Sequence, residues 1–379
     1  MNTIGGNGQG NNGMTAERER VDRLRLIRTE NVGPITFRHL MEKFGSAGAA
    51  LDALPGLARR GGRGRALKLC PRDAAILEIE DNARAGAELV IFGDDAYPPQ
   101  LTAVEDAPPV FSAIGNPHLM KKRTVGVVGA RNASANARSF TRSLAREIGA
   151  AGHVIVSGLA RGIDAAAPAG SLETGTIAVV AGGVDSVYPP ENAELYAQIA
   201  AEGLIIGEMR IGTKPQARHF PSRNRIIAGL SLGLVVIEAS RNSGSLITAR
   251  CALERGREVF AVPGSPLDPR AAGTNQLLRD GANWAESAED VISALRETRI
   301  EEAPSDDYRA PPAPFQPVEV TLKQRDAVLE MLGPSAVPVD EFIRECQLSP
   351  SIVITILLEA ELAGQVERHP GNRVSRRIR

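Results

Sequence analysis

Between residues 121 and 299 one pattern recurs: a short apolar run dense in β-branched residues, followed by a stretch with helical spacing. The apolar runs fall at 125–128, 153–156, 177–180, 204–206, 234–237 and 259–262, with few polar positions inside any of them. Such runs suit strands buried on both faces. Helical spacing at 139–148, 192–201 and 246–255 supplies covers for the two faces. The alternation predicts an α/β fold, a Rossmann-like doubly wound parallel sheet over residues 118–300.

The flanks follow other rules. Residues 17–117 show helical periodicity through Leu24, Ile27, Phe37, Leu40 and Phe44, broken at Gly33-Pro34, and predict an N-terminal helical domain of helix-hairpin-helix (SAM-like) character. Its turn, Asn31-Val32-Gly33-Pro34-Ile35-Thr36-Phe37, is either a packing hairpin or a phosphate-binding one, since a Gly-rich turn offers free N–H groups. Near the end of this stretch, 89–92 reads as a short strand, and Tyr97-Pro98-Pro99 and Pro108-Pro109 read as connecting turns. Residues 1–16, Gly- and Asn-rich at the start, are expected to be disordered. Five prolines among acidic and small residues make 301–317 an extended linker. Beyond it, 318–379 offers three helical segments and a hairpin at 366–368 and 373–376, the order of a winged helix.

Forty-four Lys and Arg against 45 Asp and Glu leave a net charge of -1, so any nucleic-acid site must be a local basic patch. Cys70, Cys251 and Cys346 are far apart without C-x-x-C spacing, which suggests neither a disulfide framework nor a zinc site. No apolar run approaches the length of a membrane span and no export signal is visible, so a cytoplasmic location is expected.

In an open parallel sheet, ligands bind beyond the carboxyl ends of the strands, where helix N-termini present unpaired N–H groups. Four loops qualify: Gly129-Ala130-Arg131; Ser157-Gly158-Leu159-Ala160-Arg161-Gly162-Ile163-Asp164; Phe220-Pro221-Ser222-Arg223-Asn224-Arg225; and Ser243-Gly244-Ser245-Leu246-Ile247-Thr248. Glycines there allow close approach of a phosphate, the hydroxyls of Ser157, Ser243 and Ser245 can donate to it, and Arg131, Arg223 and Arg225 can neutralise it. From 218 to 250 there are five arginines and a single acid, Glu238, a local charge of +4 that suits a polyanion.

These loops, with Tyr188-Pro189, Phe260-Ala261-Val262-Pro263-Gly264 and Gly273-Thr274-Asn275, closely resemble the motifs of the DNA-processing protein A (DprA/Smf) family. The resemblance implies a non-enzymatic protein that binds incoming single-stranded DNA in natural transformation. It further implies loading of the RecA recombinase onto that DNA, displacement of single-strand-binding protein, and a homodimer joined through the Rossmann-like domains. No cofactor is implied. Carried onto this chain, the implied contacts are Gly129, Arg131, Ser157, Gly158, Arg161, His219, Phe220, Arg223, Asn224, Arg225, Ser243, Gly244 and Ser245, with Phe220 either stacking on a base or serving the core.

Two positions depart from the family pattern. Pro168 stands where relatives carry histidine, and Asn132-Ala133-Ser134-Ala135-Asn136 lacks the usual Tyr-Gly pair. Two further readings compete with single-stranded-DNA binding. A nucleotide phosphoribohydrolase-like enzyme would need a catalytic carboxylate after its Gly-rich loop, where this chain has Leu246 and Ile247. No Walker loop or H-E-x-x-H motif is present, and Asp164 and Asp185 stand without an evident second ligand. A winged-helix regulator of duplex DNA would need a basic third helix, but 351–362 is mostly apolar with Glu359 and Glu361.

Overall fold

The computed structural model describes residues 9–297, 320–369 and 371–377, with side chains from Thr15 onward. In chain order, helices α1 (Gln9–Arg28), α2 (Pro34–Phe44), α3 (Ala47–Arg60) and α4 (Arg72–Arg84) precede β1 (Glu88–Ile91), the short α5 (Pro99–Thr102) and β2 (Val110–Gly115). Then come β3 (Thr124–Gly129), α6 (Ala135–Ala150), β4 (Val154–Ser157), α7 (Ile163–Ser171), β5 (Thr176–Val180), α8 (Ala193–Glu202) and β6 (Leu204–Gly207). The second half of the sheet adds α9 (His219–Leu230), β7 (Gly233–Ile237), α10 (Gly244–Leu253), β8 (Glu258–Ala261), α11 (Ala272–Arg279), β9 (Asn283–Trp284) and α12 (Ala288–Glu297). The chain closes with α13 (Leu322–Met331), β10 (Val337–Pro338), α14 (Val339–Glu345), α15 (Pro350–Leu362), β11 (Val366–His369) and β12 (Arg373–Arg376).

The described residues form two compact units, one made of those within 79–303 and one that brings those within 1–78 together with those within 304–379. In the first, nine strands form one sheet in the order β1-β2-β6-β5-β4-β3-β7-β8-β9. Period-two alternation sorts its side chains. Val125, Val127, Ile155, Val235 and Ile237 pack beneath α6 and α12, whereas Val128, Val154, Val156, Leu234 and Val236 pack beneath α9 and α10. All six predicted parallel strands are present.

The structure moves two expected boundaries. β1 and β2 pair antiparallel with each other, and β2 pairs antiparallel with β6, so 88–115 belongs to the sheet rather than to a helical domain ending at 117. The physical reason is burial: Leu89, Val90, Ile91, Val110 and Phe111 are all at most 4% exposed, and a sheet edge supplies partners for their backbones. At the N-terminus, helix α1 begins at Gln9, so 9–16 are helical rather than disordered. Extending an established helix adds a hydrogen bond for each residue fixed and needs no new nucleus. The proline-rich segment 301–317 lies outside the described residues.

In the other unit, α13, α14 and α15 with the β10-β12-β11 sheet form a winged helix around Val328, Phe342, Val353, Ile356, Leu357 and Val374. Helix α15 is covered on a second side by the N-terminal helices. Arg60 pairs with Glu359 at 2.7 Å, and Asn31 Nδ2 and Arg63 Nη1 donate to the Leu362 carbonyl at 3.1 and 3.2 Å. The Asn31–Phe37 turn thus meets the end of α15 through Asn31, and residues 356–362 of α15 are buried. A helix enclosed on all sides explains why its sequence is apolar around most of its circumference.

His39, on α2, carries a pH-dependent share of this unit's stability. Burial pushes its imidazole down to about 4, helped by the charge of Arg368. The folded state keeps the neutral ring while the unfolded chain takes up a proton near pH 6.5, so the contribution is complete above pH 6.5 and is lost as pH falls towards 4. The expected loss is on the order of 2–3 kcal/mol. Thermal melting of wild type and His39→Gln between pH 7 and 4 checks this, since the variant should lose this share of the acid sensitivity; equal slopes would refute it.

Candidate nucleic-acid interface

β3 and β7 are neighbours in the sheet, and the chain winds away from them in opposite directions. Beyond their carboxyl ends opens a cleft of about 830 Å³. Its floor is Gly129, Ala130, Arg131 and Asn132; Phe220, Arg223 and Asn224 of α9 form one wall and Ser243, Gly244, Ser245 and Thr248 of α10 another. Tyr188 and Ile247, 46% and 45% exposed, add aromatic and apolar surface.

A buried ion pair anchors the centre. Arg223 Nη1 donates to Asp164 Oδ2 at 3.4 Å, and both side chains are almost wholly buried. Burial pushes the Asp164 carboxyl up from its ordinary range and the Arg223 guanidinium down; in each case the partner's opposite charge opposes the shift. The pair exists because residue 158 is glycine: a Cβ there would lie 1.4 Å from Arg223 Nη1 and 2.3 Å from Asp164 Oδ2. Among the described residues Arg223 Nε has no hydrogen-bond partner, which leaves one donor of this guanidinium unmet.

Phe220 sits amid cations and a second ring. The Arg131 and Arg223 guanidinium carbons lie 5.1 and 5.8 Å from its ring centroid, and the Tyr188 ring meets it edge-on at 6.1 Å. A planar base can stack on such a surface while Arg131, which is exposed, meets its phosphate.

The helix ends differ in what they offer. Ser134, the N-cap of α6, donates its N–H to Glu238 Oε2 at 2.8 Å, and α7 carries Asp164 in its first turn, so both bring their own acid. Helix α10 has none there. Its N-cap Ser243 Oγ lies 2.7 Å from Ser245 Oγ, and Gly244 faces open space. Of these three it is the helix end best suited to an outside anion.

Of the residues expected to bind, Gly129, Arg131, Phe220, Arg223, Asn224, Ser243, Gly244 and Ser245 meet at this cleft. Asn224 Nδ2 donates to the Gly244 carbonyl at 3.4 Å and links the two walls. Arg161 lies just outside, exposed and 3.5 Å from Glu191. Four expected residues are held in other roles. Ser157 is wholly buried and its hydroxyl donates to the Val127 carbonyl at 2.7 Å. Gly158 admits Arg223 rather than a phosphate. His219 is buried, and its Nδ1 accepts the Gln216 N–H at 3.3 Å. Arg225 points away from the cleft, pairing with Glu208 and donating to the Asp106 carbonyl. With a 100° turn per residue, Arg223 and Arg225 cannot share one helix face. The +4 estimate therefore shrinks, since Asp164 and Glu208 neutralise two of the five arginines.

Sequence reasoning passed over Tyr188 as a lining residue of the cleft and Asp164 as the anchor of Arg223. It also passed over Gly229-Leu230-Ser231-Leu232-Gly233, which has nucleophile-elbow spacing. That run precedes β7 instead of following a strand, and Ser231 is wholly buried with its hydroxyl donating to the Ile227 carbonyl at 2.7 Å. Glu238 and Leu159, directly or closely after β7 and β4, have φ of 49° and 54°, a conformation non-glycine residues adopt at a cost. Among the described residues no group of three or more His, Cys, Asp and Glu could hold a metal, and no helix is long and apolar enough to cross a membrane.

Comparison with known proteins matches three family models in succession. A DprA-like N-terminal HHH domain covers residues 17–81, DNA recombination-mediator protein A covers 88–296, and a DprA winged helix domain covers 310–372. The DNA processing protein DprA of Bacillus subtilis is 44% identical over 219 residues, 57% of this chain and 74% of that one. Protein Smf of Escherichia coli is 35% identical over 291 residues, 76% of each chain. An X-ray structure of DprA from Streptococcus pneumoniae superposes with TM-score 0.60 at 33% identity, over 73% of this chain and 96% of that one. A structure of DNA processing protein A from Helicobacter pylori, described for its single-stranded DNA binding mode, gives TM-score 0.52 at 28% identity, over 56% and 98%.

Proposed function

Because this chain belongs to the DprA/Smf family of DNA recombination mediators, we propose that its central cleft holds single-stranded DNA of any sequence. In this reading the protein protects incoming DNA, displaces single-strand-binding protein from it and loads RecA onto it, without itself catalysing a reaction. A homodimer would set two clefts along one strand and raise avidity through effective concentration. The observation that carries the reading is the Phe220 surface, edged by Tyr188 and flanked by Arg131 and Arg223. Stacking accepts every base, and guanidinium groups accept every phosphate, so the combination suits a ligand without fixed sequence. Asp164, the acid at the cleft centre, is committed to Arg223 and is a poor general acid or base.

Fluorescence anisotropy with an unstructured labelled oligonucleotide tests the proposal. Phe220→Ala should weaken single-strand binding by about 1–3 kcal/mol. Arg131→Ala should weaken it too and lower the salt slope by about 0.7, the share of one phosphate contact. Undiminished binding by both variants, or a preference for duplex, would sink it. Release of a base from nucleotides would point to the enzyme instead.

A further inference from the structure

Next to the cleft, beside α6 and α7, runs a groove of about 420 Å³. Arg131, Arg138, Arg142 and Arg161 line it and no acid does. Arg138 and Arg142 are exposed, and among the described residues neither has an ion-pair partner shown; Arg146 extends their row. Spacing of four along α6 puts these three on one face of the helix, about 6 Å apart along its axis. Arg161 approaches Glu191 at 3.5 Å, whereas the other three arginines share the groove with no acid on its lining. The α7 side of the groove is Gly162, Ala165, Ala166 and Ala169, short enough to let a chain approach closely.

The groove is continuous with the cleft. A smaller depression of about 210 Å³ shares Arg131 and Arg161 with the groove, and shares Arg131, Tyr188 and Phe220 with the cleft. From this continuity we infer that single-stranded DNA leaving the Phe220 surface passes over Arg131 and Arg161 and lays its phosphates along Arg138 and Arg142. The inference rests on the cleft reading and adds to it a second, sequence-independent segment of the binding path. Contacts of this kind bind by counterion release, so they add affinity only to strands long enough to reach them.

The test compares Arg138→Ala/Arg142→Ala, Arg131→Ala and wild type by anisotropy, using a short oligothymidylate that fills the cleft alone and one several times longer. Both α6 positions are exposed, so folding should be unchanged, as thermal melting will verify. For the double variant the expected result is unchanged affinity for the short strand, about tenfold weaker binding of the long one, and a long-strand salt slope lowered by about 1.4. Wild-type affinity for the long strand, alongside weakened binding by Arg131→Ala, would overturn the groove and leave the cleft standing. Equal weakening on short and long strands would overturn it as well, since that is general electrostatics and not a path. If wild type bound neither strand, the cleft and the groove would fall together.

Discussion

Arg223→Ala should destabilise the α/β unit by about 3–5 kcal/mol, because it strands the buried Asp164 carboxylate without its counter-charge. The loss should depend on pH in a defined direction. Burial already raises the Asp164 carboxyl, and removing Arg223 raises it further, so the folded variant holds a proton that the unfolded chain releases. Stability of the variant then falls as pH rises above the ordinary carboxylate range, and its deficit relative to wild type narrows as pH falls towards 4. Adding Asp164→Ala should restore part of the loss, since removing both charges leaves nothing unpaired. Urea unfolding at pH 7 and pH 5 measures all three effects. A deficit below about 1 kcal/mol, the size of an average substitution, would show that the pair anchors nothing. Loss of DNA binding by Arg223→Ala is for the same reason ambiguous, and Arg131 and Phe220 are the better probes of the cleft.

The second large effect concerns the unit formed by the N-terminal helices and the winged helix. Gly61, at the end of α3, has an ordinary φ of −67°, so alanine suits its backbone. Its Cβ, however, would lie 1.9 Å from the Glu359 carbonyl oxygen and 2.5 Å from the carbonyl carbon. Backbone cannot step aside as a side chain can, so Gly61→Ala should cost about 3 kcal/mol, the upper end of ordinary overpacking. Gly64 has open space around it and serves as the control, with an expected change within about 0.5 kcal/mol. Equilibrium unfolding of the two variants compares them directly; equal stability would mean that α3 does not hold α15 as described.

Legibility in the sequence followed burial. The parallel strands could be read because both their faces are apolar and the signal is dense. β2 escaped because its run, 110–115, follows Pro108-Pro109 and contains Ser112, and β9 because two residues carry no period. In the site, motif reading found the loops but not which way their side chains turn. Arg223 and Arg225 look equivalent in F-P-x-R-N-R, yet two residues on a helix face opposite ways. Ser157 ends a strand covered on both faces, so its hydroxyl had to find a partner inside the sheet. The unsuitability of α15 as a duplex reader was visible in Glu359 and Glu361. That α3 covers it was not, since the partner lies about 300 residues away in sequence.

Single-stranded DNA lying on the Phe220 surface of the Rossmann-like cleft, as proposed, should be open to capture in place. The most direct measurement is photocrosslinking of the full chain to an oligonucleotide carrying 5-iodouracil, with adducts located by peptide mass spectrometry. Adducts on Phe220 or Tyr188, suppressed by unlabelled single strand and not by duplex, are the predicted result. Adducts confined to the winged helix, or competed equally by duplex, would contradict it.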